Sequence, residues 1–101
     1  MIVQRWQAPI IPDLKQIKSL FEAEGLIPTE ETHQPQTEVG FHRHIFDEVR
    51  TVAKGEVLFD IAGNKLLLRA GDRIVIPSNT KHSFAVQGEE PLVCVIASKL
   101  S

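Results

Sequence analysis

The sequence predicts one all-β domain, a sandwich or barrel, with a single short helix near its N-terminal end. Three observations carry this. From Gly40 onward the apolar residues fall in short runs, too brief for helices and rich in Val, Ile, Leu and Phe. Turn-forming residues separate those runs at regular intervals, a pattern of antiparallel strands and not of βαβ units. Only one segment, Pro12 to Gly25, carries helical periodicity.

The elements follow in order. Ile2 to Trp6 reads as an edge strand, available to this chain or to a neighbouring subunit, with Trp6 as its anchor. The helix spans about 13–24, with Leu14, Ile17, Leu20, Phe21 and Glu24 as an apolar stripe with a polar edge. Proline at its start and Gly25 just past its end are the usual helix punctuation. So short a helix must lean on another surface. Residues 28–38, PTEETHQPQTE, are polar and without period and read as an extended connection. The strands then fall at 41–45, 48–53, 56–61, 65–69, 73–76, 82–86 and 92–98, so that the barrel occupies about 40–98.

With 101 residues, one domain covering 1–101 is expected, since a second would lack a core. Hydrophobic residues make up 43% and charged residues 24% of the chain, an ordinary balance for a soluble globular protein. A formal net charge of −2 without a basic stripe gives no electrostatic reason for a nucleic-acid partner. Runs such as LVCVIA are too short to span a bilayer, and the N-terminal residues lack a secretory apolar block, so neither membrane nor export is expected. The lone Cys94 has no partner for an internal disulfide, which fits a cytoplasmic setting; inside LVCVIA it reads as a small buried hydrophobe. Phosphate-loop, dinucleotide and nucleophile-elbow motifs are absent.

The chemistry-bearing stretch is GFHRHIFDE, residues 40–48. His42 and His44 alternate across Arg43 and would leave the same face of a strand, about 6.8 Å apart along it. On a straight strand Glu48 would lie about 13.6 Å beyond His44, too far to share an ion. The chain must therefore turn around Ile45, Phe46 and Asp47 and bring Glu48 back beside the histidines. Downstream, in GDRIVIPSNTKH, a turn precedes His82, which opens a strand and shares a face with Phe84 and Val86. Three of the four histidines thus stand where they can point into one cavity, while His33 lies in the polar connection. Taken singly, a strand histidine is more often a surface or satisfied core residue, and Glu48 a solvated charge. Their joint spacing is what departs from chance.

That joint pattern resembles the cupin family. Its first motif, a histidine, any residue, a histidine, then a glutamate and a glycine at set intervals, is matched by His42, His44, Glu48 and Gly55. Its second, a glycine, a proline and a histidine, is matched by Gly71, Pro77 and His82. The sequence departs from the pattern at Gln36 and Asn79, where the family carries glycine, and at Val86, where it carries asparagine. The resemblance implies a small double-stranded β-helix, the jelly-roll barrel, with the helix packed outside one sheet. It implies a homodimer and the ligand set His42, His44, Glu48 and His82 for one divalent transition-metal ion, Fe, Mn, Ni, Co or Zn. Four protein ligands would leave two octahedral positions for water, substrate or O₂. Neutral imidazoles are required, so metal is expected to leave as pH falls through about 6.5.

Arg50 and Val52 share the face of Glu48. An arginine inside a barrel lined by Phe and Val needs an anionic partner, so Arg50 is expected to hold a carboxylate or phosphate of the ligand; the alternative is pairing with an acid such as Glu56. On that expectation, Arg50→Met weakens anionic ligands and leaves metal content unchanged. Arg73 reads equally as a surface charge or a lumen group. The chain has no tyrosine, which argues against a cysteine-oxidising thiol dioxygenase. Three functions remain: a mononuclear, oxygenase-like metal enzyme acting on a small chelating organic acid; a redox-neutral metal-dependent isomerase, epimerase or lyase; and a non-catalytic metal or small-ligand binding module. No second acid/base stands in phase with the ligand positions, which weighs slightly against the redox-neutral class.

Overall fold

The computed structural model describes residues 1–100. In chain order these form β1 (Ile2–Gln4), α1 (Leu14–Ala23), β2 (Thr29–His33), β3 (Glu38–His42), β4 (Asp47–Lys54), β5 (Glu56–Ile61), β6 (Asn64–Arg69), β7 (Arg73–Ile76), β8 (His82–Gln87) and β9 (Leu92–Lys99). Two antiparallel sheets result, one ordered β1-β7-β4-β9-β2 and the other β3-β8-β5-β6. Side chains alternate as strand geometry requires: Val57, Phe59 and Ile61 of β5 and His82, Phe84 and Val86 of β8 point inward. With Val52, Leu68, Ile74, Ile76, Leu92 and Cys94 they form the core between the sheets. Among the described residues no helix is long and apolar enough to cross a membrane.

The helix covers the outer face of the five-stranded sheet. Asp13 caps it, accepting from Gln16 N at 2.8 Å, while Gln16 Oε1 accepts from Asp13 N at 2.9 Å, a reciprocal capping box. Gly25, at φ 80°, ends it, and Leu26 N donates to Phe21 O at 3.0 Å in a Schellman closure. Ile17 and Phe21 pack on Val49, Val95 and Ala97, so β4 is buried on both faces. Leu20, expected on this stripe, is 54% exposed, while Leu14, Ile17 and Phe21 meet the sheet. Arg73 clamps the helix end from below, donating to both oxygens of Glu24 at 2.6 and 2.8 Å beneath the Phe21 ring; it is an outer-face residue, not a lumen group.

Two strand assignments differ from expectation. Residues 28–38 are not a plain connection, for β2 runs through them and pairs with β9 from Thr29↔Ile96 to His33↔Leu92. It is an edge strand, solvated on one face, and its inward residues, Glu31 and His33, are polar, so no apolar alternation announces it. The strand expected at 41–45 lies earlier, at Glu38–His42, and carries a bulge between Val39 and His42. Phe41 and Ile45, whose apolar character drew the expectation, are 54% and 91% exposed. β1 pairs with β7 of its own chain.

Turn chemistry decides the remaining corners. At Gly55, φ is 82° and a Cβ would lie 2.6 Å from the Pro91 carbonyl oxygen, so only glycine fits between β4 and β5. Asn79 and Gln36, which replace the family's glycines, both keep the left-handed backbone, at φ 61° and 68°. Gln36 Nε2 donates to Gly88 O at 3.1 Å, a contact that offsets part of its strain.

The N-terminal strand is tied down through Asp72. Its carboxylate accepts from Trp6 N at 2.9 Å, Arg69 N at 2.9 Å and Arg5 Nη1 at 3.0 Å. Burial alone would raise this carboxyl; the backbone donors of Arg69 and Trp6, then Arg5, outweigh it and hold it below the ordinary carboxylate range. A depressed folded value stabilises above the unfolded value and is lost as pH falls through the folded one. Asp72→Asn is therefore expected to cost about 2 kcal/mol at pH 7 and less at pH 2. Urea unfolding at the two pH values checks it; an equal loss at both would contradict the charge-based account.

Candidate metal centre

His42 ends β3, His44 follows in the loop, and His82 opens β8 directly opposite His42 in the ladder. The chain bends at Ile45 and Phe46 and crosses from one sheet to the other, so that Glu48 returns on β4 toward the histidines. The required turn is present, although His44 reaches the site from a loop and not from the strand face. One donor atom from each of His42, His44 and His82 lies within 4.8 Å of the others, a group able to hold a metal ion. The three ring centroids are 4.2 to 5.3 Å apart. His44 also stacks on Phe46 at 4.8 Å, which fixes its ring plane.

Backbone carbonyls set the tautomers. His82 Nδ1 faces Thr80 O and His42 Nδ1 faces Gly40 O, each at 2.8 Å. A carbonyl only accepts, so Nδ1 carries the proton and Nε2 presents a lone pair. His82 is 1% exposed and its Nε2 has no hydrogen-bond partner. A buried unpartnered nitrogen is costly unless something binds it. Burial, with His42 and His44 close by, pulls His82 below the usual imidazole range despite Thr80 and Glu48. The donor set, its tautomers and the orphaned nitrogen all fit a divalent transition metal.

Glu48 stands at the margin of this cluster. Its Oε1 is 3.4 Å from His44 Nε2 and its Oε2 accepts from Arg50 Nε at 3.1 Å. Arg50 does face the interior and is 2% exposed. Its partners are Glu48 and Glu31, whose Oε1 accepts from Nη1 at 2.9 Å, and not Glu56. The guanidinium lies over both Phe59 and Phe84, 5.5 and 5.2 Å from their ring centroids. Burial opposes its charge, but Glu48, Cys94 and Glu31 outweigh that and raise it further. Cys94, at 0% exposure, is a core residue whose thiol burial pushes up despite Arg50.

His42, His44 and Glu48 open onto a cavity of about 570 Å³. Its lining also holds Glu31 and His33 of β2, which the sequence reading passed over. Glu31 Oε1 and His33 Nε2 are 2.7 Å apart, and the His33 ring meets the edge of Phe84. Burial raises the Glu31 carboxyl, but Arg50 and His33 overcome it and hold it below the ordinary value. The signal was the i, i+2 acid–histidine pair within TEETH, hidden by the polar residues between and around it.

Comparison with known proteins adds three findings. The family model for the cupin domain matches residues 29–98. An acireductone dioxygenase of Bacillus licheniformis is 39% identical over 59 residues, which are 54% of this chain and 33% of that protein. The chain thus aligns with only a third of the length of this relative. Two solved structures share the fold: a predicted oxalate decarboxylase from Thermotoga maritima, with TM-score 0.67, 20% identity, and 98% of this chain and 79% of that one covered, and a cupin superfamily protein from Desulfitobacterium hafniense, with TM-score 0.65, 11% identity and coverages of 99% and 77%.

Proposed function

The chain belongs to the cupin family, and on that premise we propose that it holds one divalent transition-metal ion through His42, His44, His82 and Glu48. We take it to be a mononuclear, oxygenase-like enzyme acting on a small chelating organic acid. The observation that carries the proposal is the buried, unpartnered Nε2 of His82, with its proton held on Nδ1 by Thr80. The same device at His42 supports it. When bound, such an ion supplies Lewis acidity and open positions for a chelating ligand.

The protein's own residues then divide the work. Thr80 and Gly40 carbonyls hold two imidazoles in the ligating tautomer. Phe46 orients His44 by stacking. Arg50, engaged by Glu48 and Glu31, is read as a positioning residue that aims Glu48 at the cluster, with the ligand contact expected from the sequence as its alternative role. Leu26, Val39 and Ile96 line the cavity with apolar surface. A small acid as ligand, two copies paired, and a cytoplasmic setting belong to the same reading.

The similarity to part of an acireductone dioxygenase favours oxygen chemistry. The Glu31–His33 pair favours the redox-neutral class instead, since it provides the acid/base partner that the ligand-bearing strands lack. Oxygen uptake decides between them. Fe(II)-loaded protein offered a panel of chelating hydroxy and oxo acids is expected to consume O₂ in step with loss of one of them. Turnover by the Zn(II) or Mn(II) form without O₂ would transfer the proposal to the redox-neutral class, and tight binding with no product would reduce it to a binding module.

A further inference from the structure

Besides the three-histidine group, the cavity wall carries a second polar pair. Glu31 and His33 project inward from β2 with side chains 28% and 23% exposed. One carboxylate oxygen, Glu31 Oε1, serves both neighbours, Arg50 Nη1 at 2.9 Å and His33 Nε2 at 2.7 Å. Among the described residues, Glu31 Oε2 and His33 Nδ1 have no hydrogen bond to the protein. A carboxylate only accepts, so His33 Nε2 carries the proton in this contact, and in neutral His33 Nδ1 is an acceptor too. Both free atoms therefore accept and neither donates. Charge follows the same direction: Arg50 is shared by Glu31 and Glu48, leaving this wall with more negative than positive groups. Phe84, Val39 and Ile96 line the same cavity and suit a short carbon chain.

We infer that Glu31 and His33 form a recognition subsite for a hydroxyl group on the ligand, placed away from its chelating end. This rests on the metal-centre reading and narrows the ligand class to small chelating acids with a distal hydroxyl. An acid ending in a methyl group would cover these two acceptors without offering a donor, and discrimination by hydrogen bonding exceeds discrimination by size alone.

The test uses the Ni(II)-loaded 101-residue chain and calorimetry at pH 8, with 2-hydroxypentanoate against 2,4- and 2,5-dihydroxypentanoate. One dihydroxy acid is expected to bind roughly tenfold tighter than the monohydroxy acid. Glu31→Gln keeps an oxygen for Arg50 but turns the free acceptor into a donor; His33→Phe keeps the ring edge against Phe84. Both are expected to erase the preference while Ni(II) affinity changes less than threefold. Equal affinity for all three acids, or a preference that survives in both variants, overturns the subsite and leaves the metal centre standing. Failure of the unsubstituted protein to take up Ni(II) overturns both.

Discussion

Replacing His82 with leucine is expected to abolish the rise in melting temperature that Ni(II) gives the native chain, without weakening the metal-free protein by more than about 1 kcal/mol. The second half is the unusual one. A fully buried side chain normally costs several kcal/mol when replaced by one of another shape. His82, however, keeps an unsatisfied Nε2 at 1% exposure, a burden of about 1–3 kcal/mol in the absence of metal. Leucine removes that burden and fills similar space beside Ile61 and Phe84; the released Thr80 carbonyl lies in a half-buried turn with access to water. For the native chain, free Ni(II) at a hundredfold excess over its Kd contributes about 2.7 kcal/mol. In a domain of this size that amounts to a shift on the order of 10–20 °C. Calorimetric scans of both proteins with and without Ni(II) read both quantities. The same upward shift in the leucine variant would place the ion elsewhere.

Arg50→Met is expected to be the most damaging single change in the cavity wall. It strands Glu48, 6% exposed, and half-buried Glu31 without their shared cation, and breaking a buried pair from one side costs about 3–5 kcal/mol. That is a large share of the stability of any small domain. It also frees Glu48 Oε2 from the Nε that aims it, so Ni(II) affinity is expected to fall roughly 10–100-fold. A pure anion clamp makes the opposite forecast of unchanged metal content, so the two roles separate cleanly. Adding Glu31→Gln to Arg50→Met removes one stranded charge and is expected to recover part of the stability. Urea midpoints and Ni(II) titrations of the single and double variants give the answer. Native-like stability together with native Ni(II) affinity in Arg50→Met would refute the positioning role.

The residues that sequence reasoning placed well are those whose signal is local. Strand alternation in His82, Phe84 and Val86 became the observed inward face of β8, because side chains on a strand have only two directions to choose from. Pro12 and Gly25 bracketed the helix to within a residue of each end. Misreadings occurred where a surface residue imitated a core residue, as at Phe41 and Ile45, or where polar residues face inward. The β2 strand failed to register for that second reason: its inward side lines a polar cavity, so burial left no apolar trace.

By itself, the sequence determined an all-β chain with a resemblance to cupins and which three histidines could meet, since the strands and the shared faces follow from short-range alternation. Only the tertiary structure decided who accompanies them. Arg50 met Glu31 across the five-stranded sheet because β9 lies between β4 and β2, a neighbour relation made by pairing between distant segments and invisible to any local period. His44 joined the site from a loop, through the bend that carries the chain between sheets. Partners of a buried charge are chosen by proximity in space, and proximity between remote segments exists only once the sheets have formed.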